Sequence, residues 1–107
     1  FTWETQDKER DIAAATAAWE KAKELIRDER NQMVLLDEIN IALRYGYIDL
    51  GDVMKFLENE KPSMTHVVLT GRNAAEDLIE MADLVTEMAL VKHPFRSGIK
   101  AQIGVEF

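Results

Sequence analysis

Met33-Val34-Leu35-Leu36-Asp37-Glu38 decides how this chain is read: four apolar residues deliver two adjacent carboxylates. A strand buried on both faces reads as a continuous apolar run, and such strands belong to parallel sheets covered by helices on each side. In open α/β sheets ligands sit beyond the carboxyl ends of the strands. Asp37 and Glu38 therefore fall where a site is expected. The fold expected from this run is α/β, a three-layer, mostly parallel sheet flanked by helices.

In nucleotide-binding enzymes an apolar strand ending in acids is the Walker B element. Its acid holds Mg²⁺ directly or through water while a glycine-rich loop with a lysine binds the phosphates. No G-x-x-x-x-G-K-[ST] stretch occurs in the 107 residues. Either the site is half present or the acids do something else. The chain begins with Phe1 where a translated chain begins with Met, so the expectation is a piece of a larger protein. The 107 residues do not open on a charged segment followed by an apolar run, and a secretory origin is not expected.

Composition narrows the classes. With 47% hydrophobic and 31% charged residues the chain is ordinary globular material, and its length suits one domain, residues 1–107. Its apolar runs fall well short of the roughly 20 residues a membrane helix needs. A net charge of −7 argues against nucleic-acid and anionic-membrane partners, which select clustered Lys and Arg. The absence of Cys removes disulfides, thiolate zinc sites and thiol nucleophiles together, and is compatible with a cytoplasmic location.

Working outward, Ile12, Ala15, Trp19, Ala22 and Ile26 recur at helical spacing and predict a long amphipathic helix between Asp7 and Arg30. After the strand, residues 38–45 predict a short helix stopped by Gly46. Asp49 caps the next helix, whose stripe is Leu50, Val53 and Leu57. His66-Val67-Val68-Leu69-Thr70 predicts a second strand. Asn73, with Glu76 three residues on, resembles a capping box for a following helix. Leu84 to Leu90 reads as a third strand, and the alternation of Ile99, Ala101, Ile103, Val105 and Phe107 with polar residues predicts a half-exposed edge strand.

Each candidate for chemistry has a plainer alternative. Asp37 and Glu38 suit a Mg²⁺ site, or simply a helix N-terminus that favours acids through its dipole. Spacing does not choose between the two. Thr70-Gly71-Arg72-Asn73 offers backbone N–H groups and a guanidinium to an anion, or is a turn in which Arg72 pairs with Glu76 or Asp77. Phe1 and Trp3 suit a flat ligand, or cover a sheet edge. His93 beside Lys92, Pro94 and Phe95 has no sequence neighbour that would complete a metal site.

Taken in order, Phe1-Thr2-Trp3-Glu4-Thr5-Gln6, the Met33 to Glu38 run, Thr70-Gly71-Arg72, Val91-Lys92-His93-Pro94-Phe95 and Gly98 to Phe107 resemble the P-loop type ATP:corrinoid adenosyltransferases of cobalamin biosynthesis and salvage. The resemblance covers the whole chain as the C-terminal portion of the family, without the segment that carries the phosphate loop. It implies a P-loop NTPase-like (RecA-like) fold. The implied activity moves the 5′-deoxyadenosyl group of ATP onto the cobalt of a reduced corrinoid, with Mg²⁺ required. Glu38 matches the family's Mg²⁺-binding acid and Asp37 the acid beside it. Phe1 and Trp3 match aromatics that crowd the lower face of the corrin, and Arg72 matches a nucleotide contact. A flavoprotein reductant and a homo-oligomer are the implied partners. The 107 residues alone are not expected to turn over, because no loop in them holds the triphosphate. Two other classes stay open: a non-enzymatic corrinoid-binding or interaction module, and a fragment of a hydrolytic ATPase.

Overall fold

A computed structural model describes the backbone of residues 2–92 and the side chains of residues 6–92. The elements run α1 (Thr2–Arg27), β1 (Met33–Leu36), α2 (Ile39–Arg44), α3 (Leu50–Asn59), β2 (His66–Leu69) and α4 (Glu76–Met81). β1 and β2 pair in parallel, Met33 opposite His66 through Leu36 opposite Leu69. Parallel strands need a crossover, and here it contains α2 and α3.

The core follows from periodicity. Along α1, Trp19, Ala22 and Ile26 are buried and Ala15 packs against them, as the stripe requires. They meet Val34 of β1, Ile39 of α2, Ile48, and Val53 and Phe56 of α3, with Leu36, Val67 and Leu69 partly covered at the margin. Trp19 and Phe56 meet edge to face, ring centroids 5.4 Å apart at 81°. Such pairs contribute roughly 0.5–1.5 kcal/mol beyond the area they bury. Arg27 lies over the Phe56 ring and donates from Nη2 to Glu60 Oε1 at 3.0 Å, which ties the end of α1 to the end of α3.

Helix ends obey local chemistry where the sequence supplies a cap. Asp49 accepts from the Asp52 N–H at 3.0 Å and starts α3. Gly46 closes α2 at φ +73°, where a side chain would be strained. Within α3 the buried positions are Val53 and Phe56, whereas Leu50 and Leu57 are half-buried.

Two expectations fail. Leu84 to Leu90 is not a strand: it carries no regular structure and its residues are exposed, Met88 at 92%. Apolar residues there stand at 84, 85, 88, 89 and 90, in adjacent runs that fall on both strand faces and select neither. Asn73 does not cap α4. The N-cap is Ala75, without a side-chain cap bond, and Asn73 instead takes a left-handed backbone, φ 56°. The predicted edge strand at residues 99–107 lies outside the described residues.

The described sheet has two strands and one covered face. Val34, Leu36, Val67 and Leu69 face the helices, while Met33, Leu35 and Val68 on the other face are exposed. Among the described residues no helix is long and apolar enough to cross a membrane.

Candidate functional site

Because β1 and β2 are parallel and in register, their carboxyl ends lie side by side, and the residues that follow meet. The Thr70 N–H donates to the Leu36 carbonyl at 3.2 Å, extending the ladder one step past each strand. Asp37 is thereby brought level with Thr70. The Thr70 hydroxyl accepts from the Glu38 N–H at 3.0 Å and donates to Asp37 Oδ1 at 3.1 Å. A hydroxyl has one proton and two lone pairs, so a single side chain engages both acidic residues in a fixed sense.

The next turn is locked from the other side. The Asn40 N–H donates to the Thr70 carbonyl at 3.3 Å, and its side-chain Nδ2 donates to the Gly71 carbonyl at 3.0 Å. Asn40 is 5% exposed, and its Oδ1 is buried without a partner. Gly71 has φ +128°, and a Cβ there would stand 2.9 Å from the Asn40 Cβ. Only glycine lets the two turns approach this closely.

Glu38 occupies the N-cap position of α2 at φ 62°, ψ 22°, and its side chain makes no cap bond. A capping residue ordinarily has extended backbone and accepts with its side chain. Glu38 therefore stands at the α2 N-terminus, where the dipole favours an acid, without the side-chain bond of a cap. Both acids are exposed, and among the described residues the Glu38 carboxylate has no hydrogen-bond or ion-pair partner. Those residues contain no group of three or more His, Cys, Asp or Glu able to cage a cation. What they offer is a pair of hard oxygen donors at a strand end. That suits Mg²⁺, which keeps several waters and takes one or two carboxylates together with substrate phosphates.

Beside the acids runs an apolar groove of about 370 Å³ between α1 and β1, lined by Ala15, Ala18, Ala22 and Leu25 on one side and by Leu35 and Asp37 on the other. The small side chains of α1 leave this space open. β1 pairs only with β2 among the described residues, so its other edge is free on the groove side. A cleft of about 390 Å³ between α1 and α3, at Trp19, Tyr47 and Lys55, does not include the acids.

Of the residues expected at the site, Asp37 and Glu38 follow β1 and both meet the Thr70 hydroxyl. Arg72 is exposed two residues beyond Thr70, and among the described residues it pairs with neither Glu76 nor Asp77. Trp3 is placed only as a backbone position in the first turn of α1, and Phe1 lies outside the described residues. Sequence reasoning missed the roles of Thr70 and Asn40. The available signal for Asn40 was an amide between two isoleucines, Ile39 and Ile41, in a short apolar helix.

Comparison with known proteins gives a consistent result. A family model described as ATP:corrinoid adenosyltransferase BtuR/CobO/CobP matches residues 1–107. A Sinorhizobium protein named corrinoid adenosyltransferase is 80% identical over all 107 residues, which cover 50% of its length. Proteins of the same name from Pseudomonas aeruginosa and Escherichia coli K12 are 57% and 44% identical, with 52% and 54% of their lengths covered. The chain spans about half the length of the curated relatives it matches.

Proposed function

This chain belongs to the ATP:corrinoid adenosyltransferase family, and we propose that the whole protein moves the 5′-deoxyadenosyl group of ATP onto the cobalt of a reduced corrinoid. The observation that carries this reading is the exposed Asp37–Glu38 pair, fixed at the end of a parallel strand in a chain matched over its full length. In the reaction the Co(I) electron pair attacks C5′, a Co–C bond forms, the C5′–O bond breaks, and triphosphate leaves with the bonding pair.

Glu38, whose carboxylate is unengaged among the described residues, is the first ligand proposed for Mg²⁺, with Asp37 beside it. A divalent cation on the triphosphate would stabilise the charge that develops on the leaving oxygen. Arg72, unpaired among the described residues, is assigned a phosphate contact. Phe1 and Trp3 are assigned to the lower face of the corrin.

The edge of β1 and the face at Met33, Leu35 and Val68, both uncovered among the described residues, and the groove beside them support a larger P-loop NTPase-like sheet, with further strands and a second helical layer. An open apolar edge is a template for strand addition. The remaining half of the polypeptide, with its phosphate loop, is the segment proposed to fill it. A cytoplasmic location, a flavoprotein electron donor and a homo-oligomer complete the proposal.

The test uses the full-length protein with ATP, Mg²⁺ and chemically reduced corrinoid under anaerobic conditions. Light-sensitive adenosylcorrinoid and one triphosphate per turnover are expected, and Glu38→Gln should nearly abolish both. Corrinoid-independent release of phosphate would show a hydrolytic ATPase instead. Tight corrinoid binding without transfer would show a binding module.

A further inference from the structure

We infer that Thr70 is the positioning residue of the acid pair, holding Glu38 and Asp37 in the arrangement that receives the divalent cation; this rests on the reading of those acids given above. The inference starts from backbone conformation. Glu38 is not glycine, yet it sits at φ 62°, ψ 22°. A left-handed conformation is disfavoured for a residue with a Cβ and persists where its surroundings over-determine it. Here the over-determining contact is the 3.0 Å bond from the Glu38 N–H to the Thr70 hydroxyl.

That bond sets the direction in which the Glu38 Cβ leaves the chain. It also commits the Thr70 proton to Asp37 Oδ1, so that one oxygen of Asp37 is engaged. The backbone of Thr70 is bonded on both sides, through its N–H to Leu36 and through its carbonyl to Asn40, which fixes its Cβ, and the two bonds of the hydroxyl select its rotamer. Groups that hydrogen-bond a ligating carboxylate orient it, and losing one typically lowers metal affinity or activity roughly ten- to a hundredfold. Thr70 is assigned no contact with substrate or cation. It acts through the acids.

The experiment compares Thr70→Val, Thr70→Ala and Thr70→Ser in the full-length protein, with two readouts. One is binding of Mn²⁺ to the ATP complex, followed by electron paramagnetic resonance without corrinoid. The other is hydrogen exchange of the Glu38 amide in metal-free protein. Removing the hydroxyl in Val or Ala should weaken Mn²⁺ binding roughly ten- to a hundredfold and speed Glu38 exchange. The serine variant, which keeps the hydroxyl, should restore both to near wild type. Should the valine not fold, the alanine removes the same group without a branch. Wild-type Mn²⁺ affinity in whichever hydroxyl-free variant folds overturns the inference, as does a serine variant no better than the alanine. If Glu38→Gln and Asp37→Asn both leave cation binding intact, the assignment of the acids fails. If Glu38→Gln destroys binding while Thr70→Ala does not, only the role of Thr70 fails.

Discussion

Gly71→Ala isolates the close approach that knits the two strand ends. Two contributions add. The first is conformational: at φ +128° an L-residue lies in a sparsely populated region, at roughly 1–3 kcal/mol. The second is steric. The new methyl would stand 2.9 Å from Asn40 Cβ, 3.4 Å from its N and 3.5 Å from its Nδ2, against the roughly 3.5–4.0 Å that carbon atoms prefer. Asn40 Cβ cannot swing away as the tip of a long side chain could. The turn must shift, at about 1–3 kcal/mol for overpacking, and the 3.0 Å bond from Nδ2 to the Gly71 carbonyl is lost with it. The combined loss is about 2–6 kcal/mol, a large share of a typical folding free energy of roughly 5–15 kcal/mol. Gly46→Ala supplies the control, because Gly46 also has positive φ, +73°, but a Cβ there meets nothing within 4 Å. It should cost only the backbone term, roughly 1–2 kcal/mol. Urea unfolding of both variants reads the difference directly. A Gly71→Ala penalty within about 0.5 kcal/mol of the Gly46→Ala penalty would refute the packing argument.

Other predictions are independent of that turn. Trp19→Ala removes the aromatic that joins α1 to α3 and should cost roughly 3–5 kcal/mol, seen as a lower urea midpoint at unchanged slope. In the loop after α1, side-chain hydrogen bonds from Arg30, aided by its backbone N–H, hold the Asp28 carboxyl down at about 2. This depressed value stabilises the folded loop above the unfolded pKa of about 3.9, and the contribution disappears as pH falls through about 2. Arg30→Ala should bring the Asp28 carboxyl back towards about 3.9 in a carbon-13 titration.

Much of this was legible in the residues. Trp19, Ala22 and Ile26 stand at spacings of three and four because helical geometry repeats there, and no other element competes for that pattern. The Met33 to Leu36 run marked a strand, but it also implied cover on both faces, and the described residues cover one. An apolar run reports how a strand is buried, not where the burying residues lie in the chain. Asn73 and Glu76 had capping-box spacing, yet positive φ at Asn73 spends that residue on the turn and starts the helix later. Asp37 and Glu38 could be named from their place after a strand. Thr70 could not be named as their partner, because that contact spans 33 residues and depends on a register known only once the strands pair.

The account depends on the acid pair holding a divalent cation, and Mn²⁺ titration of the full-length protein with ATP, followed by electron paramagnetic resonance, addresses that directly. Loss of bound Mn²⁺ in Glu38→Gln, with ATP still bound, is the predicted result. Undiminished Mn²⁺ binding in both Glu38→Gln and Asp37→Asn would contradict the assignment.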